Sequence, residues 1–338
     1  MGGKFSVVNW KLLGIQETQK KWNNLLIKFK TANIYQSFEW GEYKALSGWS
    51  PYRWIASDEQ NNIVALFQGL VRKYSFKTGM IWGTGGPVGN ISFCGDSFRQ
   101  TIFNDLNLKN GYCRFFFQRQ YDINDTLVLK KLGWQRALYP INSGLSMFSD
   151  LFIKEEDALS ACSKNWRRNL RRSNKFGLKF YQWHCPDPLK ISSIYKEMES
   201  YKQLKEQFSF VDLKGIFEKL KNQIILFRCD DSMGNLLAIR GALIFGKQAW
   251  DFIAAANVES RKIYASYGLY WALARHCHSL GIKKYDMGGI DPALNPGVFN
   301  FKKGVGSVPV EYLGEWDWAS HEGLRLGANW MINRKIGR

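Results

Sequence analysis

Apolar residues recur along this chain in two rhythms, one of period two and one of three to four, and the two alternate in a fixed order. Arg53 to Ser57 and Ile63 to Tyr74 read as strands joined by the polar turn Asp58 to Asn62, a β-hairpin. A strand from Gly79 follows, then helical spacing between Phe98 and Leu108, Gly111 as its stop, and a strand from Tyr112 to Gln118. The same order returns later. Ile224 to Cys229 and Leu236 to Phe245 flank the turn Asp230 to Asn235, and Trp250 to Ala256 is the next strand. A helix with Leu269, Leu273, Cys277 and Leu280 on one side comes next, with Ser266 as its cap and Gly281 as a left-handed stop. A strand over Lys283 to Met287 closes the second set, and a Gly- and Pro-rich loop carries the chain on to Phe301-Lys302-Lys303-Gly304.

Between and before these sets, short helices are expected from Gln36 to Ala45, over Ile191 to Gln203 and over Leu213 to Leu220, with a strand over Lys179 to Trp183. Gly79 to Pro87 runs from a strand into a glycine-rich loop. It lacks the Gly-Lys-Ser/Thr ending of a phosphate-binding loop and reads as a backbone turn.

The two sets keep step. Gly69 and Gly241 stand late in the second strand of each hairpin, and the separation between them is almost the same as that between Gly111 and Gly281. A nearly constant offset across consecutive elements points to internal duplication. Each copy is then a mixed α/β domain with a largely antiparallel sheet, neither a dinucleotide-binding fold nor a barrel. The expected division is residues 1–150, residues 151–320 and a basic amphipathic tail, residues 321–338.

Composition sharpens this picture in a few places. The chain has 338 residues, enough for two domain cores, and 45% hydrophobic with 22% charged residues describes a globular protein. Forty-seven Lys and Arg against 29 Asp and Glu leave a formal charge of +18, which draws the protein to polyanions. The six cysteines are scattered without metal-ligand spacing, so reduced cytosolic thiols and no metal are expected. No apolar run reaches the length of a membrane span, and MGGKFSVVNW is not built like a secretory signal, although Met1-Gly2 with Ser6 fits the loose acylation pattern.

Charge is concentrated in Lys164 to Lys175, KNWRRNLRRSNK, which has no acidic residue. On a helix, Trp166 and Leu170 share one side while Arg167, Arg168, Arg171, Arg172 and Lys175 fill the opposite arc. A planar guanidinium grips phosphate with two parallel hydrogen bonds, so this row points to a specific anion. The tail HEGLRLGANWMINRKIGR interleaves cations with Leu, Trp, Met and Ile, a composition that suits either a disordered end or a segment that rests on an anionic membrane.

A hairpin-strand-helix-strand core resembles the GNAT acyltransferase fold, and two in tandem resemble the FemABX family of peptidyltransferases. The likeness spans most of the chain: QSFEWGEYKALSGWSPYRWIA, NWRRNLRRSNKFGLKF, and the closing GIKKYDMGGID, GVFNFKKGVG and EYLGEW. It departs in one respect, since no long heptad pattern marks a helical tRNA-contacting arm. The resemblance implies transfer of an amino acid from aminoacyl-tRNA to an amino group of a peptidoglycan or surface-glycan precursor. It also implies that Phe301 and Lys302 line the donor side of the site.

Acyl transfer to an amine needs a polarised carbonyl and a route for the lost proton. No Ser-His-Asp or Cys-His set is evident, so direct transfer without a covalent enzyme intermediate is expected. Asp286 and Asp291 are candidates to orient or deprotonate the amine, each with a backbone-capping role as its alternative. Tyr264 and Tyr267 are candidate oxyanion donors. Phe301 can stack on a base, Lys302 and Lys303 can neutralise a phosphate or ester oxygen, and the arginine row can hold the diphosphate of a nucleotide- or lipid-linked acceptor. No tightly bound cofactor and no DNA partner are expected, and the location is cytoplasmic, with a peripheral contact on the inner face of the membrane. Two other readings stay open: an acyl-CoA-dependent N-acyltransferase acting on an amino sugar, and a non-catalytic RNA-binding module.

Overall fold

The computed structural model describes residues 8–152 and 154–336. The acylation pattern at Met1-Gly2 and Ser6 lies outside the described residues. The chain divides into two compact units, one of residues 1–145 with 311–338 and the other of residues 146–310.

Unit 1 begins with β1 (Asn9–Leu12), α1 (Ile15–Leu26), α2 (Phe38–Ala45), β2 (Ser50–Ser57), β3 (Ile63–Ser75), β4 (Thr78–Thr84) and β5 (Val88–Gly89). It continues through α3 (Asp96–Asp105), β6 (Asn110–Gln120), α4 (Ile123–Lys131) and β7 (Gln135–Arg136). Unit 2 holds β8 (Leu145–Asp150), α5 (Glu155–Ala161), α6 (Lys164–Ser173), β9 (Lys179–Gln182), α7 (Pro188–Lys202), α8 (Phe210–Lys219) and β10 (Ile224–Asp230). It ends with β11 (Leu236–Phe245), β12 (Gln248–Ala256), α9 (Val258–Lys262), α10 (Ala265–Ser279), β13 (Lys284–Gly289) and α11 (Pro296–Gly304). β14 (Val308–Ala319) and α12 (Glu322–Ile336) return the chain to unit 1.

The two sheets follow one plan. In unit 1 the strand order is β1-β2-β3-β4-β6-β14, antiparallel except for the parallel pair β4 and β6. In unit 2 it is β9-β10-β11-β12-β13-β8, antiparallel except for the parallel pair β12 and β13. Each parallel pair is joined by a crossover helix, α3 or α10, as a parallel connection requires. The closing strands are exchanged in sequence, because β14 completes unit 1 after unit 2 is finished and β8 precedes the sheet it completes. That exchange is why the contacts do not divide the chain at residues 150 and 320. A cut in the sequence could not foresee a strand donated from the far end of the chain.

The duplication extends to side chains. In both hairpin turns an aspartate Oδ1 accepts from the backbone N–H groups two and four residues on, at 3.0 and 2.8 Å for Asp58 and at 2.9 and 2.8 Å for Asp231. Gly241 is confined because a Cβ there would meet Ile253 Cγ2 at 2.7 Å. Two helix ends differ from expectation. α3 is stopped by Asn107 at φ 53°, not by Gly111, so the true counterpart of Gly281 at φ 79° is an asparagine, the residue after glycine most tolerant of that conformation. α10 starts at Ala265 with Tyr264, not Ser266, at its cap, held at φ 59°.

The core of unit 2 gathers Met147, Trp166, Phe227, Leu269, Leu273, Cys277, Tyr285 and Met287 between the sheet, α6 and α10, while that of unit 1 is aromatic, centred on Trp54, Phe67, Phe98, Phe115 and Trp134. Leu280, expected on the apolar stripe of α10, is exposed past the helix end. The tail is the helix α12, fixed to β14 by Arg325 Nε on Asp317 at 2.7 Å and Asn329 Nδ2 on the same carboxylate at 2.6 Å. Among the described residues no helix is long and apolar enough to cross a membrane.

Candidate functional site

The segment read as a basic loop is the helix α11, started by Pro296 and capped by Asn295, whose Oδ1 accepts from Val298 N–H at 3.4 Å. Its last turn carries Phe301, Lys302 and Lys303, and they separate by depth. Lys303 is exposed, Phe301 is half-buried, and Lys302 is only 7% exposed.

Lys302 reaches a gap in the sheet. β12 and β13 pair only from Gln248 with Lys284 to Trp250 with Asp286. Beyond that point the parallel ladder stops, and the carbonyls of Gly288 and Gly289 need other partners. Lys302 Nζ donates to both, at 3.0 and 2.7 Å. Burial pushes its pKa down to about 8, opposed by the Asp251 carboxylate, reinforced by the Arg240 guanidinium and opposed again by Asp286.

The two candidate carboxylates act on this lysine through the backbone. Asp286 is buried at the end of β13, where its Oδ1 accepts from Ser146 Oγ and from Gly288 N–H at 2.8 Å, so it shapes the bend whose carbonyl holds Lys302. Asp291 Oδ1 accepts from the N–H groups of Ala293 and Leu294 at 3.0 and 2.8 Å, and its carbonyl accepts from Asn295, which caps α11. Both occupy the backbone role that the sequence left open as their alternative.

Under α11 lies a polar cluster that the sequence reading did not single out. Arg240 of β11 grips Asp251 of β12 with two hydrogen bonds, Nε to Oδ1 at 2.9 Å and Nη2 to Oδ2 at 2.7 Å. Tyr285 OH donates to the same Oδ1 at 2.9 Å. Burial works against the Arg240 charge, yet the Asp251 carboxylate holds the guanidinium above its ordinary range. Burial, then Asp251, pushes the Tyr285 hydroxyl well above its ordinary pKa. A signal for the pair was present: one arginine and one aspartate stand alone in the apolar runs LLAIRGALIF and QAWDFIAAA. The repeat supplies the contrast, since the positions equivalent to Arg240 and Asp251 in unit 1 are Gln68 and Trp82 by the registers of the two sheets.

Aromatic rings wall the cluster. Phe301 lies 5.1 Å from Tyr267, 5.9 Å from Tyr270 and 6.0 Å from Trp166, centroid to centroid, with the Arg240 guanidinium 5.2 Å from its own ring centre. Trp166 is the buried anchor of α6 against this wall, and Ser163 N–H donates to Gly304 O at 2.8 Å, tying α6 to the end of α11.

α6 presents its cations as expected. Trp166 and Leu170 are buried, and Arg168, Arg171, Arg172 and Lys175 are exposed, lining an open depression with Arg167. All four arginines bond to neutral groups: Arg168 donates to Asn165 Oδ1 at 2.6 Å, Arg172 to Tyr264 OH at 2.8 Å, and Arg167 and Arg171 to the carbonyls of Leu159 and Arg167, each at 3.4 Å. Tyr264, at the N-terminus of α10, therefore serves the arginine row, whereas Tyr267 belongs to the aromatic wall. The structure thus brings Phe301, Lys302, Tyr264, Tyr267 and the α6 arginines together in unit 2.

Residues 217–324 match the model of the FemAB family. No curated protein matches the chain at a significant level. Among solved structures, FemX superposes with a TM-score of 0.80 at 15% identity, covering 94% of this chain and 100% of FemX. A tandem GNAT protein from the clavulanic acid biosynthesis pathway superposes with a TM-score of 0.55 at 10% identity, covering 93% and 99% of the two chains. L-PGS from Bacillus licheniformis gives 0.52 at 13%, covering 83% and 88%. The two copies of one sheet plan and the FemX-like course of the backbone show a tandem GNAT-like fold, and its closing half, over residues 217–324, matches the FemAB family model.

Proposed function

We propose that the protein transfers an amino acid from aminoacyl-tRNA directly to an amino group of a nucleotide- or lipid-linked peptidoglycan or surface-glycan precursor. The observation that carries this reading is Lys302, a buried cation aimed at the open end of the β12 and β13 ladder beside Phe301 and within one helix of the arginine row. The acceptor nitrogen attacks the ester carbonyl of the donor, a C–N bond forms, and the C–O bond to the ribose breaks. The amine's proton leaves with the departing ribose oxygen, so no covalent enzyme intermediate is needed.

Lys302 supplies the positive charge where the carbonyl oxygen becomes an oxyanion. With two of its three N–H groups on backbone carbonyls, it is oriented before substrate arrives. Phe301 and Tyr267 offer a stacking surface for the terminal base, and Arg168 and Arg171 hold the acceptor's diphosphate. Asp286 and Asp291 position Lys302 through Gly288 and α11. Arg240 and Asp251 keep a rigid floor under it.

The test is incubation with charged tRNA or acetyl-CoA and a nucleotide-linked muropeptide, followed by mass spectrometry. An acceptor heavier by one amino-acid residue supports the reading. An acetylated acceptor would replace it with the CoA-dependent alternative, and tRNA binding without any product would favour the RNA-binding module.

A further inference from the structure

Unit 1 carries a surface that the transfer chemistry does not use. The β3–β4 hairpin ends in Lys73-Tyr74-Ser75-Phe76-Lys77, and its two aromatic rings are among the most exposed large side chains described, Phe76 at 77% and Tyr74 at 64%. A tight reversal with both rings turned to water costs hydration free energy that a soluble surface has no reason to accept. From residue 70 to residue 81 the sequence has three cations and no acid.

The hairpin continues into α12. Tyr74 OH lies 3.7 Å from Met80 Sδ, and Met80 packs in one cluster with Tyr112, Leu324, Ala328 and Ile332. α12 turns Ala328 and Asn329 inward and leaves Leu326, Trp330 and Met331 about half exposed. Beside them stand Arg334, whose guanidinium lies 4.7 Å from the Trp330 ring centre, and Lys335. After Glu322 the helix has no acidic residue.

We propose that the β3–β4 tip and the outer face of α12 form a docking surface for an anionic lipid bilayer. Aromatic rings and aliphatic side chains enter the headgroup boundary while flanking Lys and Arg meet lipid phosphates, the charge complementarity that an interfacial surface requires. A nucleic acid is the other polyanion such charge attracts. It stacks on aromatic rings lining a groove, whereas here Tyr74 and Phe76 stand exposed at the end of a hairpin, and Leu326 and Met331 offer no ring to a base. The surface lies wholly in unit 1, so it stands or falls separately from the site in unit 2.

The experiment is flotation of the full chain with vesicles of phosphatidylcholine alone, or with phosphatidylglycerol as roughly a third of the lipid. The wild type is expected to float with the anionic vesicles, to leave them in high salt, and to ignore neutral ones. Tyr74→Ser with Phe76→Ser is expected to weaken partitioning about tenfold with an unchanged melting curve, and Trp330→Ala with Met331→Ala to act in the same direction. No flotation of the wild type, equal flotation of both double variants, or variants that lose binding to bulk tRNA while keeping vesicle binding would each overturn the proposal.

Discussion

Lys302 concentrates several constraints on one nitrogen: deep burial, two carbonyl acceptors, one carboxylate pair within electrostatic reach and a pKa lowered to about 8. A lysine with a lowered pKa is charged below that value and neutral above it. If the ammonium stabilises the oxyanion, kcat/KM falls as pH rises through about 8, while Lys302→Arg keeps its charge and moves that alkaline limb above pH 10. A profile flat from pH 7 to pH 9.5 would remove the charge from the mechanism. Asp251 makes a second prediction. Asp251→Asn leaves Arg240 as a buried cation without its counter-charge, at a cost of about 3–5 kcal/mol. The melting temperature should fall on the order of 10 °C, and an unchanged melt would show the pair to be dispensable. At this scale the sequence disclosed the cations better than their surroundings. The arginine row could be read from helical spacing alone, because one period decides which side chains face water. The Lys302 environment could not, because it is made by the Gly288 and Gly289 carbonyls at a strand end and by a charged pair from two other strands.

Elements carry the next set of consequences. α6 is held by Trp166 and Leu170 on one face, so its exposed arginines can change without disturbing the core. Arg168→Ala with Arg171→Ala should raise KM for a diphosphate-bearing acceptor about tenfold to a hundredfold, leaving kcat and the melting curve near wild type. An unchanged KM would take the acceptor away from this helix. Gly281 ends α10 at φ 79°, and an alanine there must adopt a conformation that costs about 1–2 kcal/mol. Gly281→Ala should therefore melt lower without altering substrate affinity. Most element types were legible, since the hairpins, the crossover helices and the basic helix follow from period and turn chemistry. The errors have local causes. Asn107 takes the left-handed position that glycine usually fills, Tyr264 caps α10 through backbone conformation without a side-chain acceptor, and α11 begins at a Pro-Gly pair that reads as a breaker although Pro is favoured in a first turn.

For the whole molecule, duplication explains both what was legible and what was not. Matching turns and strands at a nearly constant offset announce two copies, as Gly69 with Gly241 and Asp58 with Asp231 do. The copies nevertheless exchange closing strands, and local patterns contain no record of which sheet a strand will join. The side chains have diverged between copies as well, with Gln68 and Trp82 in unit 1 where Arg240 and Asp251 stand in unit 2. The net charge of +18 adds a global expectation. If about four phosphates of the donor are neutralised, its dissociation constant should rise with salt at a log–log slope of about 3 or more, and a shallow slope would mean that a polyanionic donor is not held by charge. The most direct measurement compares wild type with Lys302→Ala, both folded by their melting curves, for the mass added to a nucleotide-linked muropeptide from charged tRNA. A gain of one amino-acid residue by the wild type, slowed about a hundredfold or more by the variant, is the predicted result. Equal rates in the two proteins would contradict the account.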